Sequence, residues 1–250
     1  MCIAVVKPKG IEVPTMEVLR ECFVCNPDGA GLMVAKDDKV YILKGYMKWK
    51  QFKKAVKNVG ITKDDAAVYH FRIATSGGII QENCHPFPIS NDMFELGTYY
   101  METDVAMAHN GIIQIKPDKG LSDTSMFVKE MLFPMKQAIL NKNEGFMNLI
   151  RLATVGSKLA FLYADGSIIT TGNGWIEENG IMYSNSSFRP MYDYKSYNSY
   201  NGYGTYVYDD PRYCEACGQK LVIWGNEMYC ESCDVVGYDG FTGNQLRLTM

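Results

Sequence analysis

The chain has 250 residues, which is enough for one large domain and a small second one. Apolar residues make up 47% and charged residues 21% of the chain, so the composition excludes a collagen-like or disordered protein. The formal net charge of −3, from 25 basic and 28 acidic side chains, provides no overall attraction to nucleic acid or to an anionic membrane.

The sequence contains no run of about 20 apolar residues that could span a bilayer, and its first ten residues lack the pattern of a signal peptide. Four of the eight cysteines form two CxxC pairs near the C-terminus, a usage that indicates metal binding in a reducing compartment. We therefore expect a cytoplasmic protein without membrane contact. Cys22 and Cys25 lack the setting of a redox motif, and we predict that they pack in the core.

The first predicted elements are strands. Residues 2–6 form a β-rich run, and residues 30–35 and 40–44 are predicted to form a hairpin that turns at Asp37-Asp38. Apolar residues at steps of three and four then predict a helix with one buried face over residues 48–59.

Two further strands, over residues 67–73 and 105–108, each lead into a polar motif. Ser122 is predicted to cap the first of three helices, and short strands between residues 159 and 183 are predicted to form a β-meander. The order of strands, helices and strands predicts a layered α+β domain.

The composition changes after residue 190, where eight of the 17 tyrosines lie between residues 191 and 213 among Asn, Ser, Gly and Asp. We interpret residues 191–211 as a linker between a domain of residues 2–190 and a module of residues 212–250. An alternative is that the tyrosines stack on single-stranded nucleic acid, but the scarcity of cations does not favour it.

The C-terminal module carries its cysteines as Cys214, Cys217, Cys230 and Cys233, with a predicted hairpin between the two pairs. Each CxxC pair can supply two thiolates to a tetrahedral zinc ion, and the spacing resembles that of zinc ribbons. Because so short a module cannot build a sufficient core, we expect the zinc to be structural. With few cations nearby, docking of a protein partner is a better interpretation than DNA binding.

Cys2 directly follows Met1, and methionine aminopeptidase generally removes a Met that precedes so small a side chain. A terminal cysteine combines a thiol with a free α-amine, whose ordinary pKa values of about 8.5 and about 8 make proton exchange between them easy near neutral pH. The alternative is that Cys2 is a small apolar residue at the start of a strand.

Five further motifs occur along the chain: Asp28-Gly-Ala-Gly31, His70-Phe-Arg72-Ile-Ala-Thr75-Ser-Gly77, Cys84-His85-Pro86, His109-Asn110-Gly111 and Ser122-Asp123-Thr124. Together with Cys2 they resemble the glutaminase domain of the class II glutamine amidotransferases. These enzymes are N-terminal-nucleophile (Ntn) hydrolases and include glucosamine-6-phosphate synthase. The resemblance covers about residues 2–188 and implies a four-layer αββα sandwich.

The resemblance implies three catalytic residues. Cys2 would be the nucleophile, and its α-amine would protonate the departing ammonia. Asn110, through its side-chain amide, and Gly111, through its backbone N–H, would stabilise the tetrahedral oxyanion. A hairpin turn is the alternative interpretation of Asn110-Gly111.

It also implies three residues that bind glutamine. Arg72 would hold the α-carboxylate through two parallel hydrogen bonds, Thr75 would add a hydroxyl, and Asp123 would neutralise the α-ammonium. Arg72 could instead serve a structural ion pair, and Asp123 could be a first-turn helix carboxylate. The three histidines are predicted to brace strands or shape a loop rather than to act in catalysis.

Two departures from the family bear on function. Residues 72–77 read Arg-Ile-Ala-Thr-Ser-Gly where glucosamine-6-phosphate synthases have Arg-Trp-Ala-Thr-His-Gly, and no acceptor domain follows in the chain. We therefore expect a glutamine amidohydrolase whose ammonia goes to an acceptor enzyme supplied in trans. The alternatives are a stand-alone amidase on another γ-glutamyl-type amide, or a non-catalytic binding protein with a zinc-ribbon docking module.

Overall fold

The computed structural model describes residues 2–75, 78–117 and 121–189, together with the backbone of three short strands further along the chain. The chain divides into two compact units. The first contains Met1–Met47 and Gln51–Arg189, and the second contains Lys48–Lys50 and Pro190–Met250.

The strands of the first unit lie in two antiparallel sheets. In chain order they are β1 (Ile3–Lys7), β2 (Ala30–Lys36), β3 (Lys39–Tyr46), β4 (Ala66–Phe71), β5 (Phe87–Pro88), β6 (Tyr100–Thr103), β7 (Val105–Asn110), β8 (Lys158–Tyr163), β9 (Ile168–Thr171), β10 (Ile176–Glu178) and β11 (Ile181–Tyr183). The larger sheet has seven strands in the order β10-β11-β1-β4-β2-β3-β6, and the smaller has four in the order β5-β7-β8-β9.

The first unit also contains α-helices, and the last three of those described follow one another closely along the chain. In order they are α1 (Met16–Cys25), α2 (Trp49–Val59), α3 (Met93–Gly97), α4 (Asp123–Phe127), α5 (Lys136–Leu140) and α6 (Glu144–Ala153). A 3₁₀ turn covers Gln81–Asn83, and between α4 and α5 the chain forms a π-helical segment, Val128–Leu132, and a 3₁₀ turn, Phe133–Met135.

Local sequence patterns account for several of these elements. The predicted hairpin is confirmed as β2 and β3, and both turn residues, Asp37 and Asp38, have positive φ of 50° and 54°, which Asp tolerates better than most residues. The helix predicted over residues 48–59 is confirmed as α2, whose Phe52 is fully buried. The prediction that Cys22 packs in the core is also confirmed, whereas Cys25 is half-buried.

The two sheets share a core. Val6, Met33, Ile42 and other residues of the larger sheet pack in one cluster with alanines of β7 and β8 such as Ala106 and Ala160. Because successive side chains of a strand point to opposite faces, the other face of each sheet is left to be covered by helices. Small side chains on the four-stranded sheet allow the sheets to approach closely.

Helices pack on the outer face of each sheet. On the larger sheet, the ring of Phe71 in β4 lies 6.4 Å from Phe23 of α1 and 5.1 Å from Phe52 of α2. On the smaller sheet, residues such as Phe161 pack with Phe127 and other residues of the later helices. The α+β prediction is confirmed: antiparallel sheets combine with helices, in an arrangement compatible with a sandwich.

The strand register brings the predicted site motifs to one end of the sheets. β1 runs antiparallel to β4, so Ile3 pairs with Phe71 and the residues on either side of this pair, Cys2 and Arg72, lie at the same end. A hydrogen bond of 2.9 Å between His70 Nε2 and the His109 carbonyl joins β4 to β7 of the other sheet.

In the second unit, the structure describes only the backbone of a three-stranded antiparallel sheet formed by β12 (Val222–Trp224), β13 (Glu227–Cys230) and β14 (Val235–Val236). The β12–β13 pairing agrees with the predicted hairpin. The predicted linker and the metal-ligand cysteines Cys214, Cys217 and Cys233 lie outside the described residues, as does the side chain of Cys230. In the part of the chain that is described, no helix has the length and apolarity to cross a membrane.

Candidate functional site

Cys2 immediately precedes β1 and is half-buried. Its Sγ lies 3.3 Å from the backbone nitrogen of Ile73, which donates to it, and 3.4 Å from the Ile73 carbonyl oxygen. Burial raises the pKa of the Cys2 thiol, although the Ile73 N–H and the Arg72 guanidinium partly oppose that effect. Nucleophilic attack at neutral pH would therefore require a base to take the thiol proton.

Arg72 follows directly after β4 and is only 3% exposed. Its backbone is held by the Asp28-Gly29 segment: Arg72 N donates to the Gly29 carbonyl at 2.8 Å, and Asp28 N donates to the Arg72 carbonyl at 2.9 Å. The Arg72 Nη1 donates to the Gly78 carbonyl at 2.7 Å. This part of the chain thus fixes a buried guanidinium beside Cys2.

The segment after Arg72 is anchored by the same aspartate. Asp28 Oδ2 accepts a hydrogen bond of 2.9 Å from the Ala74 N–H, and the next residue, Thr75, is exposed. Asp28 belongs to a motif that sequence reasoning used only for the resemblance; its role as the anchor of residues 72–74 becomes evident from the hydrogen bonds.

Asn110 ends β7 and is 5% exposed. Its Nδ2 lies 2.9 Å from Ser184 Oγ, while its buried Oδ1 has no hydrogen-bond partner in the described part of the chain. Gly111 has a φ of 146°, and a Cβ there would lie 2.3 Å from Ser157 Oγ and 2.8 Å from Ser157 Cα. The structure therefore gives a steric reason for glycine at this position: there is no room for a side chain against Ser157.

Asp123 is the first residue of α4, and Ser122 caps the helix as predicted. The two serines Ser122 and Ser125 form a reciprocal capping box. Asp123 Oδ2 accepts from the Ile113 N–H at 2.9 Å and Oδ1 accepts from the Thr124 N–H at 2.9 Å. Each carboxylate oxygen retains a second lone pair, so the group can still accept from a bound ammonium.

One small cavity, of about 20 Å³, collects most of these residues. Five of the six predicted site residues line it: Cys2, Arg72, Thr75, Gly111 and Asp123. The sixth, Asn110, is not among the described lining residues, although its neighbours on both sides are. The volume accommodates about one water molecule, so binding of an amino acid would require the lining residues to move apart.

The three histidines of the chain lie close together at this cavity, which His85 and His109 help to line; sequence reasoning did not predict this cluster. The ring centroids of His70 and His85 are 4.1 Å apart, and those of His85 and His109 are 6.2 Å apart. Burial lowers the pKa of His70 to about 3 and that of His109 to about 4, the latter against the raising effect of Asp123. Burial also lowers the pKa of His85 well below its ordinary range, so all three rings are neutral at pH 7.

His70 and His109 make the bracing contacts that their positions predicted. Besides the His70 bond to β7, His109 Nδ1 lies 2.8 Å from Thr124 Oγ1 of α4. His85 has no hydrogen-bond partner at either ring nitrogen among the described residues. Over those residues, no group of three or more His, Cys, Asp or Glu side chains is arranged to hold a metal ion.

Two residues near the end of the first unit contact the site and were not predicted. Ser184 bonds to Asn110, and Asn185 Nδ2 donates to the Cys2 carbonyl oxygen at 2.7 Å. No sequence motif marks them, because they act through tertiary contacts with residues far away in the chain.

A larger groove of about 680 Å³ lies along α2 and β3. Its lining includes Tyr46, Lys54, Tyr99 and Tyr100, and none of the predicted site residues. The groove has the volume of a small-molecule site, but its lining lacks the combination of nucleophile, guanidinium and carboxylate found beside Cys2.

Comparison with known proteins does not assign a family: no protein-family model matches the chain, and a search of curated proteins gives no match.

Proposed function

We propose that the first unit is a glutamine amidohydrolase with Cys2 as its nucleophile, and that its fold is the four-layer αββα sandwich of the Ntn hydrolases. The observation that carries the proposal is the single cavity beside Cys2. Predicted site residues from four separate parts of the sequence line it, and they are the types needed to bind a zwitterion and attack an amide. The proposal requires that Met1 be removed.

The chemistry proceeds in two halves. The Cys2 α-amine takes the thiol proton as Sγ attacks the γ-carboxamide carbon of glutamine, and the C–N bond then breaks as the same proton passes to the departing nitrogen. Ammonia leaves and a thioester remains. Water attacks that thioester, which releases glutamate and regenerates the free thiol. The base is needed because burial raises the pKa of the thiol.

Selection of glutamine rests on charge pairing. The buried Arg72 can hold the α-carboxylate through two parallel N–H groups, Asp123 can accept from the α-ammonium, and the Thr75 hydroxyl adds a further contact. Asn110 and Gly111 would donate to the tetrahedral oxyanion. Without both charge partners, desolvation of the zwitterion would oppose binding.

The ammonia is proposed to serve an acceptor enzyme in trans, which docks through the C-terminal module. Cys214, Cys217, Cys230 and Cys233 would hold a structural zinc ion there, since four thiolates satisfy its tetrahedral preference. If the purified protein alone turns over glutamine as fast as it does with an acceptor enzyme present, the alternative of a stand-alone amidase is favoured.

The test is glutamate release from glutamine by the purified, Met-processed protein. Cys2→Ala removes the nucleophile and is expected to abolish release, whereas the half-buried Cys25 provides a matched control, because Cys25→Ala leaves the cavity intact. Intact mass reports Met1 removal in the same sample. Two results would contradict the proposed enzymatic activity and support the alternative of a non-catalytic binding protein. One is retention of Met1, and the other is tight binding of glutamine without turnover by wild type and Cys2→Ala alike.

A further inference from the structure

Ser184 connects the two sheets at the site through every polar group it has. It is 1% exposed. Its N–H donates to the Ala4 carbonyl at 2.9 Å, its Oγ accepts from the Ala4 N–H at 2.8 Å, and its carbonyl accepts from the Lys158 ammonium. The same Oγ lies 2.9 Å from Asn110 Nδ2. One hydroxyl oxygen therefore links β1, which directly follows Cys2, to the side chain at the end of β7.

The hydrogen-bond pattern around this hydroxyl is incomplete as it stands. Ser184 Oγ receives two donors, from Ala4 and Asn110, so in the described part of the chain its own proton has no acceptor. The Asn110 Oδ1, which is a strong acceptor, is buried without a partner. An unpartnered buried acceptor beside an unpartnered donor is costly.

A half-turn of the Asn110 carboxamide removes both defects. Oδ1 then accepts the Ser184 proton, and Ser184 Oγ still accepts from Ala4. The amide group Nδ2 takes the position that Oδ1 held and becomes a buried donor with no protein partner. Such a donor is what stabilisation of an oxyanion requires, because it is already desolvated and aimed before the charge develops.

We propose that Ser184 is a positioning residue whose hydroxyl proton fixes the Asn110 carboxamide with its N–H group available to the oxyanion. This inference rests on the proposed function. It also explains the serine directly after β11: its oxygen connects the strand that follows the nucleophile to the oxyanion donor, so that the two groups are held at a fixed distance from each other.

The experiment is a double-mutant cycle in kcat for glutamine hydrolysis. Asn110→Ala removes the donor and is expected to lower kcat about 100- to 1,000-fold. Ser184→Ala leaves the amide in place but unoriented, and we expect a fall of about 10- to 100-fold with KM unchanged. If Ser184 acts through Asn110, the double variant has the kcat of Asn110→Ala alone.

Two readouts separate positioning from a general loss of structure. The rate of Cys2 alkylation by iodoacetamide needs no oxyanion donor, so it should match wild type in Ser184→Ala. Ser167 bonds through its hydroxyl to the exposed Asp165 and does not line the cavity, so it provides the control Ser167→Ala, which should have wild-type kcat. The inference would be overturned if the double variant showed the product of the two single-variant losses in kcat, or if Ser184→Ala had the wild-type kcat.

A second pair of variants keeps the test decisive if Ser184→Ala does not fold. Ser184→Thr and Ser184→Val add the same volume and differ by one hydroxyl, so the strain is shared. Val alone loses the hydroxyl, both as a donor to Asn110 and as the acceptor of the Ala4 N–H. Recovery of kcat by Thr relative to Val supports the inference, and equal activity contradicts it. Absence of turnover in wild type would instead overturn the proposed function, and this inference with it.

Discussion

The cavity beside Cys2 is much smaller than the groove along α2, but it brings together more of the chemical groups that catalysis requires. The first has about 20 Å³ and its lining includes a thiol, a guanidinium and a carboxylate, whereas the second has about 680 Å³ and its described lining includes three tyrosines and two lysines but no thiol, guanidinium or carboxylate. Free volume alone would select the groove as the functional site. Convergence of reactive and charged groups selects the cavity, because catalysis needs few atoms held in fixed positions.

The two regions also differ in how tightly their residues are held. Around Cys2, the side chains of Asp28, His70 and Asn185 bond to backbone groups of segments that are distant in the chain. Along the groove, Lys54 and Tyr100 are exposed. Substitutions at the cavity should therefore have severe effects, and substitutions of the exposed residues of the groove should have mild ones.

Among substitutions at the cavity and at the groove, Gly111→Ala should lower the free energy of unfolding most. A Cβ at this position would overlap Ser157, and the φ of 146° disfavours any side chain. We expect a loss of about 2–3 kcal/mol in the free energy of unfolding and a fall in kcat, because the oxyanion N–H is displaced. Gly60 is the matched control, since it has a φ of 60° and a Cβ added there would have no neighbour within 4 Å.

Gly60→Ala should cost only about 1 kcal/mol, from backbone strain alone. Denaturant unfolding of the two variants measures the difference. Equal losses would show that the contact with Ser157 is relieved at no cost, and the steric explanation of Gly111 would fail.

Arg72→Lys should weaken glutamine recognition while keeping the charge. Lysine lacks the planar fork that holds a carboxylate through two hydrogen bonds, so we expect KM to rise about 10- to 100-fold with a smaller change in kcat. Arg189 supplies the control, because it pairs with Glu178 on the surface and Arg189→Lys should leave KM unchanged. An unchanged KM in Arg72→Lys would indicate that Arg72 serves only its structural contacts.

Local patterns predicted much of the fold. The hairpin about Asp37-Asp38, the helix α2 and the Ser122 cap each depend on residues close together in sequence, and all three are present. Helix α1 was not predicted, although a signal was available: Thr15 caps it, and its buried residues recur at three- and four-residue steps. The two cysteines of this run suggest a motif of their own and so obscure its helical period.

From the sequence, only the motifs that contribute residues to the site could be predicted. The resemblance named the residues that line the cavity, but it could not place the Asn110 carboxamide against Ser184 or bring His85 between His70 and His109. These contacts depend on the packing of one sheet on the other. No spacing within a single segment encodes which side chains meet across that interface.

The histidine cluster predicts a loss of stability on mild acidification. Burial lowers the pKa of all three rings below the ordinary value of 6.5, so the unfolded chain binds protons that the native protein does not. Stability is therefore complete above about pH 6.5 and decreases as the pH falls toward the native pKa values. Each histidine contributes up to about 1 kcal/mol between about pH 6.5 and pH 5.5.

Denaturant unfolding across this range measures the slope. In His85→Phe one titrating ring is removed, and because neither ring nitrogen of His85 has a hydrogen-bond partner in the described residues, no such bond is lost. The slope of this variant should fall by about a third. Stability that stays constant between these two pH values would contradict the burial of neutral histidines.

The smallest effects are expected at the groove. Lys54→Ala and Tyr100→Ala change exposed side chains, so each should alter the free energy of unfolding by about 0.5 kcal/mol or less and leave kcat and KM for glutamine within about twofold of wild type. Steady-state kinetics checks this. A large rise in KM in either variant would place glutamine in the groove, and it would show that volume, rather than the convergence of Cys2, Arg72 and Asp123, marks the functional site.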